Sequence, residues 1–105
     1  PPPPPPPPPP GGSNANVSMA STTDQYGTAV FSYQPTDVTI QRTGTVTWTN
    51  ATGVGHSVTF TAVNGAPAEI PVPATGPNAR PFNVAGEFLY HCTVHGNMTG
   101  RVVVQ

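Results

Sequence analysis

Lysine is absent from this 105-residue chain, and charged residues of any kind make up only 7 % of it. The formal net charge is −1. Nucleic-acid binding calls for clustered Lys and Arg, so a nucleic-acid partner is not expected. Electrostatic docking on an anionic membrane is not expected either. No apolar run approaches the roughly 20 residues of a membrane helix, which argues against direct membrane insertion. No signal peptide is visible and the chain begins at Pro1 rather than Met, which reads as a processed or incomplete chain. A single cysteine excludes an internal disulfide and points to a thiol used as such. A sustained 3.6-residue apolar period is missing throughout, which excludes a helical fold.

What is abundant is Thr, Ser, Asn and Gly, which solvate a surface without charge. That composition suits an extracytoplasmic protein, whether periplasmic, cell-surface or secreted. It also suits a subunit covered by neighbours or by sugar. Asn16-Val17-Ser18, Asn50-Ala51-Thr52 and Asn97-Met98-Thr99 fit the N-glycosylation pattern, but such matches arise readily by chance in this composition. Pro1–Pro10 followed by "GGS" reads as a stiff polyproline spacer of about 31 Å with a flexible joint. The expected organisation is therefore a spacer over residues 1–13 and one domain over residues 14–105. Pro1–Pro10 would serve as a tether or an assembly element.

Short segments rich in Val, Thr and aromatic residues follow: "AVFSYQP", "DVTIQ", "GTVTWTN", "HSVTF", "EFLYHC" and "GRVVVQ". Most alternate apolar with polar residues, with Gly, Pro, Asn and Asp between them. Such spacing predicts an all-β antiparallel sandwich or barrel. Trp48, Phe60, Phe82, Phe88 and Tyr90 are candidate core residues. Thr61–Ala79 is irregular and proline-rich, which predicts a surface connection between sheets.

The chemistry concentrates in "YHCTVHGNM", Tyr90–Met98. Cys92, His95 and Met98 follow the pattern C-x2-H-x2-M. For three donors this close to converge the backbone must turn sharply, and Gly96 and Asn97 tolerate turns. Thiolate, imidazole and thioether form a soft set that selects copper in a trigonal His₂Cys site with a weak axial Met. Such a site needs a second histidine. His91 neighbours Cys92 on a strand, so the two point to opposite faces. His56, at a loop-to-strand junction on a different segment, remains. Zinc also suits Cys and His, but the methionine favours copper. A catalytic Cys–His pair lacks a third, orienting group.

"GTVTWTNATGVGHSVTF" with "AGEFLYHCTVHGNMTGRVVV" resembles the cupredoxins, the small blue copper proteins, and within them plastocyanin and amicyanin. The resemblance runs over roughly Val30–Gln105. It implies a Greek-key β-sandwich of about eight strands with one type 1 copper near one end. Carried over by position, the ligands are His56, Cys92, His95 and Met98. Ser57 stands where the family usually has an Asn that bonds across to the cysteine loop, and Val94 stands where a Pro is common. Ser57, Asn50 and Thr93 are the expected outer partners of the ligands. His95 is the expected electron port, with a redox protein docking at the neutral end around it. Its release from reduced copper on protonation is also implied by relatives with similar loops. The function implied is single-electron transfer between Cu(II) and Cu(I), without enzymatic activity because no coordination position is open. The alternative is a structural or assembly subunit built on the same domain, with copper incidental or stored. Copper delivery ranks third.

Overall fold

Val46 and Trp48 are fully buried, while Thr45, Thr47 and Thr49 beside them are not. This is the period of two seen in "GTVTWTN", and it makes that segment a strand with one face on the core. The computed structural model describes residues 13–105. Most of the expected spacer, including the whole proline run, lies outside the described residues.

Among those residues eight strands form and no helix does. In chain order they are β1 (Asn14–Thr23), β2 (Ala29–Gln34), β3 (Asp37–Ile40), β4 (Gly44–Asn50), β5 (Thr59–Phe60), β6 (Asn78–Phe82), β7 (Gly86–Cys92) and β8 (His95–Val104). They build two four-stranded sheets, ordered β2-β1-β4-β6 and β3-β8-β7-β5. The fold is the expected all-β sandwich. β1 pairs parallel with β4, and β3 pairs parallel with β8. Ser13 already joins the structure: its Oγ accepts from Gln41 N–H at 2.8 Å and its carbonyl from Thr45 N–H at 3.2 Å.

The core lies between the sheets. Tyr33, Trp48, Phe82, Phe88 and Tyr90 are all buried in it, each worth roughly 1.5–3 kcal/mol of transfer free energy. Trp48 meets Tyr90 edge-on at 5.4 Å and Phe60 at 5.8 Å, and Phe82 meets Phe88 at 5.6 Å. These spacings are those of favourable tilted and T-shaped ring pairs. Tyr90 lies directly across from Gly100 on β8. A Cβ at position 100 would collide with the Cζ and Oη of Tyr90, so a residue without a side chain is required there.

The segment Thr61–Ala79 is mostly connection, as expected. Its end is not: Asn78 and Ala79 already belong to β6, the edge strand beside β4. Pro81 is tolerated there because an edge strand leaves one row of backbone groups unpaired. Ile70, in mid-connection, bridges Val58 by two backbone hydrogen bonds of 2.9 Å. "HSVTF" contributes only Thr59 and Phe60 to a strand, and His56 lies in the loop ahead of it.

Candidate metal centre

Phe88, Tyr90 and Cys92 point into the sandwich from β7, while Leu89 and His91 between them face outward. Alternation thus carries Cys92 to the buried end of the strand and His91 away from it. β7 then turns through Thr93 and Val94 into β8, which makes Cys92 and His95 direct cross-strand partners. A two-residue turn explains the C-x2-H spacing, since opposed residues of a hairpin share a face. The turn falls two residues before Gly96 and Asn97, where it was expected. Beyond His95 the register shifts: Thr99 pairs with His91, so Gly96, Asn97 and Met98 are extra residues on β8. That bulge leaves Met98 buried. Met98, His95 and Phe31 line one hollow at this end of the molecule.

His56 reaches the same point from the loop between β4 and β5. One ligand atom from each of His56, Cys92 and His95 lies within 4.8 Å of the others. The His56 and His95 Nδ1 atoms are 3.1 Å apart, and Cys92 Sγ lies 3.9 Å from the first and 3.6 Å from the second. Two imidazole nitrogens and a sulfur thus converge, with His56 and Cys92 buried and His95 half-buried. Burial in the first place, and the neighbouring His95 in the second, hold the His56 pKa below the ordinary histidine value. That direction favours the neutral imidazole, the form a metal needs.

The surrounding hydrogen bonds fix this arrangement. Ser57 N–H donates to Cys92 Sγ at 3.4 Å. The Ser57 hydroxyl accepts from Thr93 N–H at 3.0 Å and lies 3.3 Å from the Thr93 hydroxyl. Ser57 therefore clasps the cysteine turn, as the family's Asn was expected to do. Asn50 acts on the other side. Its Oδ1 accepts from Thr52 N–H at 3.0 Å and from the Thr52 hydroxyl at 2.7 Å, and its Nδ2 donates to the Val54 carbonyl at 2.8 Å. Thr52 Oγ1 in turn meets His56 Nε2 at 2.9 Å. Asn50 reaches the histidine only through Thr52, a residue that sequence reasoning missed.

Two further residues come from β2 in the opposite sheet. The ring centroid of Phe31 lies 4.8 Å from His56 and 4.6 Å from His95. The fully buried Tyr33 donates its hydroxyl proton to the Ser57 carbonyl. Both stand on one face of "AVFSYQP", and that alternation was the available signal. Nothing local shows that this face covers the site.

The donor chemistry matches the soft set that selects copper, and it fits a single type 1 copper. Comparison with known proteins agrees. The sequence profile described as "Copper binding proteins, plastocyanin/azurin family" matches residues 18–105. The chain is 34 % identical over 80 residues to amicyanin-alpha of Methylorubrum extorquens, covering 73 % of this chain and 67 % of that protein. It is 32 % identical over 103 residues to the chloroplastic plastocyanin of Tetradesmus obliquus, covering 87 % and 67 %. Among solved structures it resembles a purple cupredoxin from Nitrosopumilus maritimus. There the TM-score is 0.69 at 28 % identity, over 87 % of this chain and 99 % of that one.

Proposed function

The chain belongs to the plastocyanin/azurin family of copper-binding proteins, and from that premise we propose that it carries single electrons between redox partners. Family and site point to electron transfer, and the observation that carries the reading further is the close triangle of His56 Nδ1, Cys92 Sγ and His95 Nδ1. His56, Cys92 and His95 would hold the copper, with the buried Met98 as a further, weaker thioether donor. When bound, copper supplies a one-electron couple between Cu(II) and Cu(I).

The residues around it do the rest. Strand β7, the Thr93–Val94 turn and the Ser57 clasp fix the ligand positions, so little has to move when charge changes. Phe31 covers both imidazoles and limits water access. An apolar surround disfavours the more highly charged oxidised form and so raises the reduction potential. Ser57 N–H removes electron density from the sulfur and acts in the same direction. Every donor comes from the protein, which favours a carrier over an enzyme.

His95, half-buried in the hairpin, is the proposed electron port. Exposed Val30, Val54 and Val94 belong to segments that supply or adjoin the site, and the stretches 28–31, 52–56 and 93–98 carry no Asp, Glu, Lys or Arg. Arg101 pairs with Asp37 and Glu87, and Glu87 sits near the start of β7, whose last residue is Cys92. A redox protein docking at the neutral end would be held by apolar contact and respond weakly to salt. The reading assigns residues 14–105 to one copper domain, residues 1–13 to a spacer, and the protein to an extracytoplasmic setting. Voltammetry of the copper-loaded chain tests it. A reversible one-electron couple is expected, and irreversible loss of metal on reduction contradicts the carrier role.

A further inference from the structure

We propose that Thr52 is a positioning residue that sets the tautomer of His56, keeping the proton on Nε2 and leaving Nδ1 bare toward the metal site. The inference rests on the copper reading for its purpose, but not for its geometry.

The heavy atoms around Thr52 decide where the protons lie. Thr52 N–H can only donate, so the Asn50 atom 3.0 Å from it is the amide oxygen. The Val54 carbonyl can only accept, so the Asn50 atom 2.8 Å from it is the amide nitrogen. With the amide so oriented, Oδ1 faces Thr52 Oγ1 at 2.7 Å. Two oxygens at that distance need a proton between them, and the amide oxygen has none, so the threonine hydroxyl donates. A hydroxyl has one proton. Oγ1 also accepts from Val54 N–H at 3.1 Å. What remains for His56 Nε2, 2.9 Å away, is a lone pair on Oγ1. The imidazole must therefore be the donor there.

A neutral imidazole with its proton on Nε2 has its free lone pair on Nδ1. That is the atom 3.9 Å from Cys92 Sγ and 3.1 Å from His95 Nδ1. Val54 and Thr52 thus belong to a turn organised by Asn50, and its product is one bare nitrogen aimed at the sulfur. His56 is fully buried, and Nε2 is its ring nitrogen that faces Thr52.

The test is imidazole ¹⁵N NMR on the metal-free full-length chain, followed by Zn(II) and Cu(I) titrations. In the wild type His56 is expected in the Nε2–H form. Thr52→Val removes the acceptor and should mix or invert the tautomers, while Thr52→Ser restores the wild-type pattern. Metal affinity should fall about 10- to 100-fold in Thr52→Val and return with Ser, as for other partners that orient a ligand. His56 protonated on Nδ1 in the wild type overturns the proposal. So does Thr52→Val with unchanged tautomer and affinity. If the valine variant does not fold, Thr52→Ala takes its place, with the same outcomes expected and excluded. A tautomer that changes with Thr52→Val and returns with Thr52→Ser, in a chain that takes no copper, supports the role of Thr52 and overturns the copper reading instead.

Discussion

Ser57, in the loop before β5, and Cys92, the last residue of β7, are joined directly: the backbone N–H of Ser57 donates to the cysteine sulfur at 3.4 Å, and the Ser57 hydroxyl accepts from the N–H of Thr93, the residue after Cys92, at 3.0 Å. One residue therefore touches the sulfur and holds the turn that carries it.

Ser57→Ala separates these two roles. It keeps the N–H bond to sulfur and removes the hydroxyl clasp on Thr93. A loss of about 1–2 kcal/mol is expected in a urea melt of the metal-free chain, the usual effect of losing a buried hydrogen-bond partner. Unchanged stability would mean that the clasp does not hold the turn.

Phe31→Ala uncovers both imidazoles, whose centroids lie 4.8 and 4.6 Å from its ring. Water then reaches the site and favours the more highly charged oxidised form, so the reduction potential should fall. Voltammetry on copper-loaded wild type and variant checks the sign. A potential that rises removes Phe31 from the set of residues that tune the site.

Tyr33 and Tyr90 make alkaline stability a reporter of the core. Burial, first among the causes, raises the Tyr33 pKa far above the ordinary tyrosine value and pushes Tyr90 up to about 12. In the unfolded chain both ionise near the ordinary value of about 10. Above that pH the unfolded state sheds protons that the native state keeps, so stability falls as pH rises from about 10. Tyrosinate absorbance should appear together with unfolding rather than before it. Tyr90→Phe should soften this decline and leave neutral-pH stability unchanged or slightly higher, because the buried Tyr90 hydroxyl makes no well-formed hydrogen bond among the described residues.

Several of these features are legible in the sequence, and the reason differs from one to the next. Period-two alternation in "EFLYHC" places Cys92 inward and His91 outward, because successive strand residues must face opposite ways. The C-x2-H spacing survives as a hairpin register. The contacts that cross between segments are not legible. Nothing local in "AVFSYQP" shows that Phe31 packs on two histidines from other loops. Nothing in "NATGVGH" shows that Asn50 acts through Thr52, since that depends on how the turn closes. Pro81 argues against a strand, and β6 forms around it only because it is an edge beside β4. The parallel pairing of β1 with β4 is likewise a long-range choice that no local pattern records.

Titration of the chain with Cu(II), wild type beside Cys92→Ala, tests the central claim most directly. One copper per chain is expected, with an intense visible sulfur-to-copper absorption that disappears on reduction, returns on reoxidation and is missing from the alanine variant. A wild-type chain that stays colourless with copper, or a colour that survives in Cys92→Ala, contradicts the assignment of this site.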